Sequence, residues 1–152
     1  MVKNLSKTAI VFRSVKYSYT QLLQYAEKYC KTFLLDGKTP EKVMIFADNG
    51  PEYFFAIYGA VKCNACVVPV DVQSTPKEIF QILEECRPEI IFVSDSYKEK
   101  IKAIVHTILD YHCLLLAASD IEIADIEKMP IVEIPMRQDD HIMAIIYTSG
   151  TT

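Results

Sequence analysis

No stretch of this chain stays apolar long enough to span a bilayer. The longest mostly apolar run, Tyr53 to Lys62, is interrupted by Gly59 and falls well short of the roughly 20 residues a membrane helix needs. No basic start followed by an apolar block marks a signal peptide, because Lys7 to Thr20 mixes charged and apolar residues; the expected compartment is the cytoplasm. Clusters of positive charge are missing too. The 16 Lys and Arg are scattered, no basic group exceeds Lys98-Glu99-Lys100, and the formal net charge of −4 argues against a nucleic-acid surface. Aromatic residues lie inside apolar runs rather than alternating with bases, which disfavours a platform for stacking single strands. A disulfide framework is equally poorly supported. Five cysteines is an odd number, and Cys30, Cys63, Cys66, Cys86 and Cys113 fall mostly within apolar patterns, as reduced buried thiols do.

What is present suits one globular domain. With 152 residues, 51% hydrophobic and 24% charged, the chain can bury about two thirds of the surface it exposes when unfolded. Ala9 to Phe12 and Lys16 to Tyr19 read as a small hairpin turning at Arg13-Ser14. Thr20 is the expected N-cap of a helix carrying Leu22, Leu23, Ala26, Tyr29, Cys30, Phe33 and Leu34 at helical spacing, stopped at Asp36-Gly37. From Lys42 onward, strand and helix patterns alternate. Lys42–Ala47, Cys66–Val70, Glu89–Ser94, Cys113–Ala117 and Ile142–Tyr147 read as strands. Pro51 opens one helix, whose interior Gly59 costs about 1 kcal/mol against alanine and therefore implies close packing on the sheet. Thr75-Pro76-Lys77-Glu78 is a capping box opening the next, with Ile79, Ile82, Leu83 and Cys86 as its buried stripe and Pro88 as its stop. A further helix is expected over Tyr97–Leu109, one or two polar turns over Ile121–Lys128, and a peripheral strand over Ile131–Ile134 between Pro130 and Pro135. The fold class is thus α/β: a mostly parallel sheet with helices on both faces, right-handed crossovers and an N-terminal hairpin.

Several constellations compete for a chemical role. Cys63-Asn64-Ala65-Cys66 is a CxxC, but it falls where a helix ends, and there the helix dipole disfavours a thiolate. No second pair completes a zinc site, so buried packing is the expected role. His106, His112 and Cys113 are separated by a change of structure and are read as solvated or packing residues, and His141 as a strand-entry residue. Asp48 and Asp71, at strand ends, are read as caps rather than catalysts, and Asp139-Asp140 as a turn before the final strand. No catalytic residue and no metal ligand is assigned in this chain.

The strongest signal is the end of the chain, where the apolar run of Ile142–Tyr147 meets Thr148-Ser149-Gly150-Thr151-Thr152. Hydroxyls, backbone N–H groups and one glycine suit a polyphosphate at the carboxyl end of a strand. No lysine follows within the chain as in a glycine-lysine P-loop, and a polar, frayed terminus is the competing reading.

Read from Ile145 to Thr152, this ending resembles the opening of the phosphate-binding signature of the adenylate-forming (AMP-binding) superfamily of acyl-CoA synthetases, peptide-synthetase adenylation domains and luciferases. The likeness continues upstream in order through Ser18-Tyr19-Thr20-Gln21-Leu22, Lys42-Val43-Met44-Ile45, Asn49-Gly50-Pro51-Glu52-Tyr53 and Gly59-Ala60-Val61-Lys62. Val67-Val68-Pro69-Val70-Asp71, Glu78-Ile79, Ile82-Leu83 and Asp139 to Ala144 complete the series. Departures are Glu41-Lys42 in place of a glycine-acid turn, and Cys63 and Cys66 where the family often has small residues.

The resemblance implies an N-terminal part of a larger ligase, with residues 1–152 forming one α/β domain cut within the phosphate loop. That enzyme would use ATP and Mg2+ to turn a carboxylic acid into an acyl-adenylate, then pass the acyl group to CoA or to a carrier's phosphopantetheine. An acyl-CoA synthetase of the fatty-acid–CoA ligase type is the leading expectation. Thr148, Ser149, Gly150, Thr151 and Thr152 would cradle the departing pyrophosphate. The isolated fragment is expected to be inactive and to hold no cofactor tightly. The alternative is a stand-alone, non-catalytic α/β binding module built on the same scaffold. A gene that continues after Thr152 with glycine and then lysine would remove that alternative.

Overall fold

A computed structural model describes residues 5–122 and 141–148. The expected strand over Ile131–Ile134, the end of the polar turns to Lys128, Asp139-Asp140 and the loop residues Ser149 to Thr152 lie outside the described residues.

The chain opens with an antiparallel hairpin, β1 (Thr8–Phe12) and β2 (Val15–Ser18), with Val11 opposite Lys16 and Phe12 opposite Val15. Arg13 and Ser14 at the turn both take positive φ, the geometry of the tight turns that match strand twist. Helix α1 (Tyr19–Thr32) follows directly. Its N-cap is Ser18, not Thr20. The Ser18 hydroxyl accepts from Gln21 N at 3.2 Å while Gln21 Oε1 accepts from Ser18 N at 2.8 Å. A reciprocal box satisfies two donors that a lone Thr20 cap could not, and Thr20 instead donates its hydroxyl to Leu5 O.

Four parallel strands then form the main sheet: β3 (Lys42–Phe46), β4 (Cys66–Pro69), β5 (Ile90–Val93) and β6 (Leu114–Ala117), in the order β4-β3-β5-β6. Helices α2 (Pro51–Lys62), α3 (Pro76–Cys86), α4 (Lys98–Val105) and α5 (Ala118–Glu122) occupy the connections and the end of β6. The alternation of β3 divides the core into two layers. Val43 and Ile45, with Val67, Ile90 and Phe92, face Leu22, Tyr29, Phe33, Phe55 and Ala60 from α1 and α2 and the turn after α1. Met44 and Phe46, with Val68, Ile91 and Val93, face Ile79, Leu83 and Ile101 from α3 and α4. Side chains of period 2 covered on both sides explain why these strands are apolar throughout.

The stripe expected for α3 is buried at all four positions, Ile79, Ile82, Leu83 and Cys86, beneath a Thr75–Glu78 capping box. Helix α4 is shorter than expected because Thr107 N and Ile108 N bond three residues back, to Ile104 O and Val105 O, closing it in tight turns; Ile108 stays buried beyond its end. Gly59 does mark a close approach, but to α1 rather than to the sheet. A Cβ there would lie 2.5 Å from Tyr29 Cβ and 3.1 Å from Cys30 N.

Candidate functional site

The final described segment, residues 141–148, lies beside β4 and extends the sheet at that edge. Val67 N donates to Met143 O and Ile145 N donates to Val67 O, both at 2.9 Å, giving a parallel bridge between Val67 and Ala144. Among the described residues, the expected buried strand over Ile142–Tyr147 is instead a segment beside β4 with one bridge, at Ala144. Ile142, Met143 and Ile146 are 64%, 57% and 70% exposed, while Ile145 and Tyr147 turn onto the α3–α4 layer.

Pro69 removes one bond from this pairing, the one an N–H at that position would have made to Ile145 O, and among the described residues no backbone bond runs from Tyr147 N to Pro69 O. In β4 the N–H groups of Cys66 and Val70 point to β3, bonding Glu41 O and Ile45 O, whereas that of Val67 points to the edge segment. The next donor on the edge side belongs to residue 69, and proline has none. Among the described residues, Ile145 N makes the last backbone bond between this segment and the sheet.

What holds Tyr147 is its side chain. The hydroxyl lies 2.9 Å from Cys86 Sγ, at the last residue of α3. Burial first, then Cys86 and Glu85, push the Tyr147 phenol above its ordinary range, so it is neutral at physiological pH. Thr148 follows directly and is exposed. The chain is thus delivered to the carboxyl end of the sheet at Thr148, whereas Ser149, Gly150, Thr151 and Thr152 lie outside the described residues.

Tyr147 and Thr148 line a groove of about 1030 Å³ with Pro69, Asp71, Glu78 and Glu85. Its charged side chains are all acidic, so bare pyrophosphate would be repelled there; the neutral donors among its lining side chains are Gln73, Ser74, Gln81, Tyr147 and Thr148. Asp71 accepts from Gln73 N at 2.9 Å and Glu78 serves the capping box, so both have local structural roles. A second cavity of about 900 Å³ opens where the strand order reverses, between the carboxyl ends of β3 and β5. Asp48, Asn49, Gly50, Ser94 and Asp95 from those two ends line it. The sequence reading missed this crevice, although the polar residues after each strand were its signal. Asp48 is engaged by the Tyr97 hydroxyl at 2.9 Å, and Asp95 by the Ser119 backbone and hydroxyl.

The CxxC resolves into a helix-ending turn. Asn64 takes φ 61°, Asn64 N donates to Val61 O and Ala65 N to Ala60 O, the paired bonds of a Schellman motif. Cys63 caps the helix and Cys66 begins β4, both buried. Cys63 also meets Cys30 of α1; that hydrogen bond, with burial, pushes the Cys30 thiol up. His106, His112 and His141 are exposed, and among the described residues no group of three His, Cys, Asp or Glu could hold a metal ion.

Comparison with known proteins fits this geometry. A family model described as AMP-binding enzyme matches residues 2–152. A crotonobetaine/carnitine–CoA ligase of Citrobacter koseri is 27% identical over 164 residues, covering 97% of this chain and 32% of the ligase. A linear gramicidin synthase of Brevibacillus parabrevis is 24% identical over 99% of this chain and 2% of its own length. The chain therefore spans about a third of the CoA ligase, at 32%. Apo MatB from Rhodopseudomonas palustris shares the fold with a TM-score of 0.80 at 19% identity, over 100% of this chain and 31% of MatB. The anthranilate CoA ligase AuaEII, solved with anthranoyl-AMP, gives 0.79 at 21% identity, over 97% and 29%.

Proposed function

The chain belongs to the AMP-binding enzyme family, whose model covers residues 2–152, and from that premise we propose that it is the N-terminal part of an ATP-dependent carboxylate–thiol ligase of the acyl-CoA synthetase class. The observation that carries this reading is the unbroken family match running into Thr148, on a segment that reaches the carboxyl edge of a parallel sheet. Relatives named as CoA ligases and as a linear gramicidin synthase support the reaction class.

In that reaction the substrate carboxylate attacks the α-phosphate of ATP, an acyl-adenylate forms, and pyrophosphate leaves. A thiol of CoA, or of a carrier's phosphopantetheine, then attacks the acyl carbonyl and AMP leaves. Phosphoryl chemistry of this kind depends on holding the phosphates in line and offsetting developing charge. Thr148 to Thr152 are assigned to that task, as neutral donors around the departing pyrophosphate. Mg2+ would offset phosphate charge, and the described residues supply no ligand set for it. The acid is a fatty acid in the leading version of this proposal. A reducing compartment, the cytoplasm, suits a protein that keeps five free thiols, four of them buried. No described helix is long and apolar enough to cross a membrane.

The test is ATP–pyrophosphate exchange by the full-length gene product over a panel of fatty, aryl, short-chain and amino acids. Exchange dependent on one class of acid is expected, fatty acids first, with none from residues 1–152 alone. Absence of exchange with every acid would overturn the proposal.

A further inference from the structure

We propose that the crevice between the carboxyl ends of β3 and β5 binds a linear polyamine, whose ammonium groups pair with the carboxylates of Glu52 and Glu122 and with the Tyr29 hydroxyl. Nothing in this site depends on the ligase reading. Tyr29 lines the cavity from α1 and is 4% exposed. Phe33, Phe55 and Phe92 hold its ring edge-on, with centroids 5.4 to 6.1 Å away. Among the described residues its hydroxyl makes no hydrogen bond. A buried hydroxyl without a partner is costly, so this one points to a group supplied from outside the fold.

The charge of the cavity says what that group is. Asp48, Glu52, Asp95 and Glu122 line it against two cations, Arg13 and Lys28. Both cations are engaged: the Arg13 guanidinium lies 5.1 Å from the Phe12 ring centre, and Lys28 Nζ donates to Glu122 O at 2.7 Å. Asp48 and Asp95 accept from Tyr97 and Ser119. The carboxylates of Glu52 and Glu122 make no hydrogen bond or ion pair among the described residues. Burial first, then Glu52, Tyr25, Asp95 and Glu122, push the Tyr29 phenol above its ordinary range, so the field at its hydroxyl favours a cation. These acids are too dispersed for a metal ion, since no three of the described His, Cys, Asp and Glu side chains could hold one. A cavity of about 900 Å³ with separated carboxylates instead fits a chain that carries its charges at intervals. Its aromatic wall, with Tyr25 stacked on Phe55 at 4.2 Å and Tyr17 edge-on to Phe55 at 5.5 Å, suits the methylene segments between ammonium groups.

Calorimetric titration of the full-length gene product with spermidine, in the absence of nucleotide, tests this. Saturable binding at one site is expected. Tyr29→Phe should weaken it about five-fold, the scale of one lost hydrogen bond. Glu52→Gln and Glu122→Gln should each weaken it about three-fold, the scale of an exposed ion pair. Glu99→Gln removes the same charge from α4, away from the cavity, and should leave binding unchanged. Choline, whose ammonium cannot donate a hydrogen bond, and Mg2+ should not compete. Without spermidine, Tyr29→Phe should not lower the thermal midpoint, because no internal bond is lost. Absence of saturable binding, a loss in Glu99→Gln equal to that in Glu52→Gln, competition by choline or Mg2+, or a lowered midpoint in Tyr29→Phe would each overturn this assignment.

Discussion

At Gly59 two local effects oppose each other. Alanine would gain about 1 kcal/mol in helix propensity over glycine. Its methyl would stand 2.5 Å from Tyr29 Cβ, a contact that requires α1 and α2 to separate. Overpacking of a tight site costs about 1–3 kcal/mol, and here the obstruction is a Cβ next to backbone rather than a flexible tip. The clash should win: Gly59→Ala is expected to lower stability by about 1–2 kcal/mol, read as a lower urea midpoint at unchanged m. An unchanged or raised midpoint would contradict the contact. Asn64 is the converse case. At φ 61° it sits where glycine is free and most side chains are strained. Asn64→Ala should destabilise by about 1 kcal/mol whereas Asn64→Gly is tolerated; equal losses in the two variants would contradict the turn assignment. Glycine inside a helical pattern revealed that something comes close, but the partner depended on how α1 crosses α2. Asn64 was hidden inside a cysteine spacing that pointed attention to sulfur chemistry.

Among the elements, those defined by local rules were the most legible. The Thr75–Glu78 box and the α3 stripe follow from contacts three and four residues apart, which a sequence displays directly. The segment 142–147 was misread as a buried strand because an apolar β-branched run looks alike at the centre and at the edge of a sheet. Among the described residues it makes one bridge, to Val67 of β4, a long-range pairing that the local pattern does not display. At the opposite side of the sheet, Lys98 Nζ lies 2.7 Å from Asp120 Oδ2, which also accepts from Ala117 N at 2.7 Å and holds the start of α5. The Lys98 contact, then the backbone bond, keep the Asp120 carboxyl below its usual range, and the same contact raises Lys98. A lowered carboxyl stabilises the fold above its unfolded pKa of about 3.9 and loses that contribution as pH falls through the folded value. The raised ammonium keeps its contribution below about 10.4 and loses it as pH rises through its own folded value. Asp120→Asn should therefore weaken the protein at neutral pH, with the gap to wild type closing as acid is added below about pH 4. Denaturation of both proteins along a pH series reads this; a gap that widens towards acid would contradict the pairing.

At the scale of the whole molecule, the described residues form a parallel sheet covered by helices on two faces, with Thr148 reached at its β4 edge. Its α/β class and strand–helix alternation were legible because buried parallel strands are continuously apolar and their crossovers carry helical spacing. The layer to which each helix belongs was not, since period-2 strands apolar on both faces do not say which face meets which helix. The loop was legible as chemistry before it was legible as position. Hydroxyls and glycine suit phosphate, whereas the charged side chains of the groove beside Thr148 are all acidic, and Ser149 to Thr152 lie outside the described residues. The central claim is that the parent enzyme activates a carboxylate by joining it to AMP. Its most direct test is to supply the full-length gene product with ATP, a thiol acceptor and an acid whose carboxylate is labelled with heavy oxygen. Attack on the α-phosphate predicts label in the AMP released. Label in inorganic phosphate, with ADP as the nucleotide product, would contradict the account.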